Sequence, residues 1–223
     1  MIVFDADGTL IGGESTDRES FEAAFEEVAG FAMDEAFFAG LEEVTARAIV
    51  HQALGALAPD ERKSKERAVC QGYLRRLKAA HGSNPASFSA MDGAPALLRD
   101  LKEKGMPVAI ATGDWRETIS FKLGAAGIRF DDIPMATSTE FYSRAEIIAG
   151  AVAKAGRTLD EALYVGDGLW DLRACRELGI PFLGVGSRTE RLRKAGAEYI
   201  LQNLSPAEFW RVRQTVRMPH RAR

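Results

Sequence analysis

Apolar residues follow two different rhythms along this chain, and the change between them divides it. Ile2-Val3-Phe4 is a short unbroken apolar run, the pattern of a strand buried on both faces. From about residue 15 to about residue 80 the spacing is helical. Phe21, Ala24, Phe25 and Val28 form one stripe, Leu41, Val44, Ala48 and Ile49 a second, and Val69, Tyr73, Leu74 and Leu77 a third. No strand-like alternation interrupts them, so this stretch predicts a small helical bundle inserted after the first strand. His81-Gly82-Ser83-Asn84-Pro85 is a breaker cluster and marks the return. The expected division is a core of residues 1–13 and 86–223 around a helical insertion of residues 14–85.

Beyond the breakers, helical and apolar segments alternate. The spacing predicts helices over 94–104, 115–126, 144–155 and 169–178, each followed by a glycine. Strands are predicted over 107–111, 133–136, 162–165, 181–185 and 199–201. Apolar strands alternating with helices imply an α/β fold with a parallel sheet covered on both faces. The basic tail, 211–223, reads as a frayed and solvated terminus.

Composition narrows the function classes. A chain of 223 residues can bury one core plus a small accessory domain. Hydrophobic residues at 46% and charged residues at 27% fit a globular protein rather than a disordered one. A formal net charge of −3 argues against nucleic acid as a partner. No apolar run is long enough to span a membrane, and the N-terminal strand lacks the flanks of a signal peptide. With only Cys70 and Cys175, no disulfide framework is implied, and a cytoplasmic setting is expected. Cys175 reads as a packing residue, and His51, His81 and His220 form no metal-ligand cluster.

The chemistry gathers at strand ends. Asp5-Ala6-Asp7-Gly8-Thr9 follows the first strand directly, which puts two carboxylates in the usual ligand crevice of an open α/β sheet. One could attack phosphorus while the other carries a proton, with Mg²⁺ offsetting their charge. Thr112-Gly113 ends the 107–111 strand, where a hydroxyl and turn amides can hold phosphate or cap a helix. Gly166-Asp167-Gly168-Leu169-Trp170-Asp171 ends the 162–165 strand. Asp167 and Asp171 either face the site together or serve as a helix cap and a solvated side chain. Arg144 opens a helix and is either a fixed cation for the phosphoryl group or a surface residue. Lys122 is the rival cation, and its place well inside a helix points it to solvent. Trp115, Arg116 and Trp170 could line the pocket or pack against the core.

These segments together resemble the haloacid dehalogenase superfamily, in its phosphatase branch with an inserted helical cap, of the phosphoglycolate-phosphatase-like kind. Asp5-Ala6-Asp7-Gly8-Thr9 matches the first motif, Thr112 the second, Arg144 the basic third, and Gly166-Asp167 with Asp171 the fourth. The resemblance implies Asp5 as a nucleophile that becomes an aspartyl-phosphate, and Asp7 as general acid and then base. It implies Mg²⁺ bound by the Asp5 carboxylate, the Asp7 backbone carbonyl and Asp167, with Asp171 in support. Thr112, Gly113 and Arg144 would bind phosphate, while Thr45 and Arg47 of the cap and Trp115 would read the substrate. Two departures stand out. The third motif is Ser143-Arg144-Ala145, where lysine is commoner, and no acidic residue follows Thr45. The expected activity is Mg²⁺-dependent hydrolysis of a small phosphorylated metabolite. The alternatives are a sugar phosphomutase of the same superfamily and a phospho-acceptor signalling domain.

Overall fold

The computed structural model describes residues 1–187 and 189–218; His220 and the rest of the tail from residue 219 lie outside the described residues. The first strand, β1 (Ile2–Phe4), leads into four helices: α1 (Glu14–Ala29), α2 (Glu35–Ala39), α3 (Ala46–Ala53) and α4 (Pro59–Ser83). Helices and strands then alternate. They run α5 (Ala94–Glu103), β2 (Val108–Ala111), α6 (Arg116–Ala125), β3 (Met135–Ala136), α7 (Arg144–Lys154) and β4 (Leu163–Gly166). The chain continues with α8 (Leu169–Leu178), β5 (Phe182–Gly184), α9 (Thr189–Lys194), β6 (Tyr199–Ile200) and α10 (Pro206–Arg213).

The six strands form one parallel sheet in the order β3-β2-β1-β4-β5-β6. Successive side chains of a strand face opposite sides, so each strand feeds two cores. Ile2 and Phe4 join Leu97 and Leu101 of α5, Ile119 and Leu123 of α6, and Phe209 of α10 on one face. Val3 joins Ile147 and Ile148 of α7, Leu172 of α8 and Leu192 of α9 on the other. This covering of both faces is what a parallel sheet of apolar strands requires. Connections from β1 run to β2 on one side and from α7 to β4 on the other, so the carboxyl ends of β1, β2 and β4 form a switch-point crevice.

Helices α1, α3 and α4 build a third core from Phe21, Phe25, Val50, Val69, Tyr73 and Leu77, closed from below by Phe88 and Trp115. The chain leaves and re-enters the sheet domain side by side. Ile11 bridges Ala90, and Gly12 N–H donates to the Ser89 carbonyl at 2.9 Å. Gly13 is left-handed at φ 115°, and a Cβ there would lie 2.3 Å from the Ser87 carbonyl oxygen, so both conformation and space demand glycine. Among the described residues no helix is long and apolar enough to cross a membrane.

Two helices escaped the sequence pattern. α9 buries only Leu192, too little for a periodic stripe. α10 takes in residues 211–213, which the sequence assigned to a frayed tail. It is fastened by Ser205 at its N-cap and by the buried Phe209 and Val212, and Arg211 pairs with Glu208 in its last turn.

Candidate active site

The loop after β1 is held in a tight coil. Thr9, Leu10 and Ile11 all donate backbone N–H groups to the Ala6 carbonyl, and Gly8 donates to the Ile11 carbonyl. Gly8 has φ 79°, and a Cβ on it would lie 2.5 Å from Asp167 Oδ2. Glycine therefore lets the β1 loop and the end of β4 approach. Asp5 N–H donates to the Val165 carbonyl at 2.9 Å, which fixes Asp5 beside Asp167. Gly166 makes room in the same way at the end of β4, since a Cβ there would lie 2.6 Å from Asp171 Oδ2.

Asp5, Asp167 and Asp171 offer carboxylate oxygens that all lie within 4.8 Å of one another, and all three residues are buried. Asp171 is 0% exposed and accepts from the Tyr164 hydroxyl and the Gly168 N–H at 3.2 and 3.1 Å. The N-cap of α8 is Gly168. The reading of Asp167 as a cap and Asp171 as a solvated side chain is thereby overturned: the first turn of α8 points Asp171 back into the crevice.

Arg144 faces this triad. The Ser143–Glu146 capping box fixes the start of α7. From there the Arg144 guanidinium donates to Asp5 Oδ1 at 3.0 Å and to the Val44 carbonyl at 3.2 Å, with Nε 3.4 Å from Asp171 Oδ1. The surface reading of Arg144 is corrected by its burial. Burial works against its charge, but Asp171 and Asp5 more than offset that and raise its pKa. Burial, then Asp171, push Asp5 well above the usual carboxylate range, and Arg144 opposes them. Burial also raises Asp171, again against Arg144. Three buried carboxylates facing one guanidinium make an oxygen-only donor set with excess negative charge. Such a set fits a hard divalent cation.

Lys122 requires a correction. Sequence reasoning pointed it to solvent, yet it is 0% exposed. On α6 it shares the buried stripe of Thr118, Ile119 and Leu123, so its stem runs inward. Its ammonium lies 2.7 and 2.8 Å from the two Asp7 oxygens, 2.5 Å from Asp17 Oδ1, 3.0 Å from Asp114 Oδ2 and 3.2 Å from the Tyr73 hydroxyl. Tyr73 also donates to Asp17. Burial disfavours the Lys122 charge, but Asp114, Asp17 and Asp7 outweigh it and raise the pKa well above that of free lysine. Asp7 itself is pushed up to about 7 by burial, against the pull of Lys122. Asp17, Tyr73 and Asp114 were missed from the sequence. Only Asp114 left a signal: Asp114, Thr118 and Lys122 are spaced by four, and Thr118 donates to Asp114 Oδ1 at 2.6 Å.

Thr112 and Gly113 lie at the end of β2. Thr112 does not cap α6, whose N-cap is Trp115; its hydroxyl accepts from Asp114 N–H at 3.3 Å. A Cβ on Gly113 would lie 2.7 Å from Arg144 Nη2. These residues, with Asp5, Asp7, Arg144 and Asp167, floor a cavity of about 500 Å³ that α1, α2 and α3 roof. Trp170 lines it as well.

The expected specificity residues do not line this cavity. Thr45 caps α3 and donates to the Tyr142 carbonyl at 2.9 Å. Trp115 and Arg47 converge instead on Glu66 of α4, at 3.2 and 3.5 Å, because the seam between insertion and core buries that carboxylate. Arg116 turns to the Met135 carbonyl and Glu140. The insertion lines the cavity with apolar residues, including Phe21, Phe38 and Ile49, and with polar ones of α1 and α4: Glu14, Asp17, Arg18, Glu22 and Tyr73.

Comparison with known proteins gives the fold and the family. A phosphoglycolate phosphatase of Synechococcus elongatus is 25% identical over 179 residues, covering 80% of each chain. The structure of a hydrolase from Pseudomonas syringae superposes with a TM-score of 0.75 at 19% identity, over 96% of this chain and 98% of that one. A β-phosphoglucomutase from Clostridium difficile gives 0.74 at 15% identity, over 96% and 95%. CbbY from Rhodobacter sphaeroides, in complex with xylulose-(1,5)bisphosphate, gives 0.72 at 20% identity, over 92% and 94%. The family model of haloacid dehalogenase-like hydrolases matches residues 2–185, a span that holds the β1 loop, Thr112, Arg144 and both acids at the end of β4 and the start of α8, and the chain belongs to that family of enzymes.

Proposed function

We propose that this chain is a Mg²⁺-dependent phosphatase that hydrolyses a small-molecule phosphate monoester through an aspartyl-phosphate on Asp5. The observation that carries this reading is the pairing of two carboxylates of one loop with separate buried cations, Arg144 on Asp5 and Lys122 on Asp7. Nucleophile and proton carrier need opposite protonation states, and separate partners give each carboxylate its own electrostatic setting.

Mg²⁺ would be held by the carboxylates of Asp5 and Asp167 and the Asp7 backbone carbonyl, and when bound it supplies positive charge to the phosphoryl oxygens. Asp171, engaged with Arg144, Tyr164 and Gly168, supports that set from behind. Thr112, the Gly113 amide and Arg144 hold the phosphate. An Asp5 oxygen attacks phosphorus, the ester P–O bond breaks, and Asp7 gives its proton to the departing alcohol oxygen. Asp7, now a carboxylate, takes a proton from water. That water attacks the same phosphorus, releases phosphate and restores Asp5. Lys122 holds both Asp7 oxygens and so orients the proton carrier through both halves.

The test is Asp5→Asn, which keeps the shape of the site and removes the nucleophile. Phosphate release from an aryl phosphate with Mg²⁺ should vanish while circular dichroism is unchanged; normal turnover by the variant would end the proposal. A sugar phosphomutase is the second reading on this fold. Isomerised sugar phosphate in place of free phosphate would decide for it.

A further inference from the structure

We infer that the leaving group of the substrate is an apolar alcohol without a second anionic group. This deepens the phosphatase reading and rests on it. The insertion presents Phe21, Phe38, Leu41, Val44, Ala46 and Ile49 to the cavity, an apolar stretch of wall edged by the acidic Glu14, Asp17 and Glu22 of α1. Phe38, Leu41, Val44 and Ile49 are only half-buried, so each has surface for a ligand to cover. A pocket with a polar floor and an apolar wall binds a molecule with one charged end.

The cations follow the same asymmetry. A second anion on the substrate would need a positive group on the wall side; among the described residues, Arg18, Lys122 and Arg144 of the lining are each already paired with a carboxylate. Lys122 is enclosed by Asp7, Asp17, Asp114 and Tyr73. The Arg144 guanidinium is held by Asp5, Asp171 and the Val44 carbonyl. Arg18, at the rim, donates to Glu22 at 2.6 Å and lies 5.1 Å over the Phe38 ring. Asp17 and Glu22 also line the cavity, so a carboxylate against the wall would meet like charge. Arg191 of α9 lines this cavity too, and it shares a second hollow with Asp167 and Trp170, so it enters from the sheet-domain side rather than from the insertion. A phosphate ester of a two-carbon acid therefore fits this cavity poorly, although a phosphoglycolate phosphatase is among the relatives.

Phosphonates test this without turnover, because their carbon–phosphorus bond resists the proposed attack. Binding to the full chain with Mg²⁺ is measured by calorimetry for two matched pairs: benzylphosphonate with 4-carboxybenzylphosphonate, and propylphosphonate with 3-phosphonopropionate. The member of each pair without the carboxylate should bind at least about tenfold more tightly, which is about 1.4 kcal/mol. Leu41→Arg, a change in a half-buried loop residue, should shrink or reverse the gap by placing a cation in the wall. Equal or tighter binding of the carboxylated members to the wild-type chain overturns the inference. So does an advantage of those members that disappears in Arg191→Gln, because the second anion would then be read from α9. Hydrolysis of phenyl phosphate and 4-carboxyphenyl phosphate separates the two readings. If neither ester is cleaved while the binding order holds, the phosphatase reading fails and the cavity preference stands. If both are cleaved and the binding order is reversed, only the preference fails.

Discussion

Arg144 and Lys122 are both buried cations that face a carboxylate of the β1 loop, and they differ in where their other partners come from. Arg144 pairs with Asp5 and Asp171, both of the sheet domain; its guanidinium meets the insertion only at the Val44 carbonyl, and its backbone N–H donates to Glu43. Lys122 divides its partners evenly: Asp7 and Asp114 belong to the sheet domain, Asp17 and Tyr73 to α1 and α4. Moving those helices away from the sheet would leave the Arg144–Asp5 pair in place and remove half of the coordination around Lys122. The proposed nucleophile is thus built into the sheet domain, while the proposed proton carrier is set by an ammonium that the insertion helps to hold. Their chemistries match their posts. A planar guanidinium can serve Asp5, Asp171 and a phosphate in fixed directions, whereas a lysine ammonium acts as a point charge shared among several acids.

Breaking the Arg144 side should have the largest effect. Arg144→Ala leaves Asp5 and Asp171 buried without their cation, a loss of about 3–5 kcal/mol for a broken buried pair. We expect a fall in melting temperature of roughly 6–20 °C at this chain length, and a fall in kcat of about 10²–10³, the scale of losing a group that meets transition-state charge. Arg144→Lys should recover some of the stability and less of the rate, as read by thermal unfolding and steady-state kinetics.

Breaking the Lys122 side should show first in the pH profile. Lys122 pulls the Asp7 pKa down from where burial alone would put it, and the balance is about 7. The acid step needs protonated Asp7, so kcat/KM should fall as pH rises through about 7. In Lys122→Met that falling limb should move to higher pH. Stability carries the opposite sign from a carboxylate whose pKa is lowered on folding. The folded pKa of Asp7 lies above its unfolded value, so the folded state binds the extra proton and stability is lost as pH rises from about 4 towards 7. Asp7 keeps 31% of its side chain exposed, which screens the effect. With the metal chelated, melting temperature should decline over that range and decline less in Asp7→Asn.

Gly113→Ala sharpens the comparison from the Arg144 side alone. The new methyl group would stand 2.7 Å from Arg144 Nη2 and 3.1 Å from the Val44 carbonyl oxygen. Displacing the guanidinium should cost about 1–3 kcal/mol of stability, the usual range for overpacking, and lower kcat with the pH limb of Asp7 unmoved. Tyr73→Phe should be the mildest change. It removes one hydroxyl from the Lys122 cluster, worth about 1 kcal/mol, and any kinetic effect should follow the Lys122 pattern rather than the Arg144 pattern.

The same contrast explains what was legible in the sequence. Asp5, Asp7, Thr112 and Asp167 sit directly after apolar runs, so strand ends and chemistry could be read together. Arg144 could be found because it opens a helix. Lys122 could not, because a lysine in mid-helix is ordinarily solvated, and its acids come from separate places in the chain. Asp17 and Tyr73 looked like members of the insertion's own helices; Tyr73 is turned to the site where α4 packs on α6, and Asp17 is carried there by α1, which packs on α4. α10 stayed hidden because two buried side chains, Phe209 and Val212, make too short a stripe to be told from a loop.

The two crossings between sheet domain and insertion, held together by the Ile11–Ala90 bridge and the Gly12–Ser89 hydrogen bond, bear on how such a chain can change over generations. A segment whose ends already touch adds little closure entropy, however long it is. Recombination at these junctions could exchange the roof without re-registering any strand. A new roof would inherit Asp5, Arg144, Asp167 and Asp171 intact, and would need only an acid and a hydroxyl for Lys122. Selectivity and chemistry are in this sense separately heritable, and Lys122 is the point at which a transplanted roof would have to be made compatible.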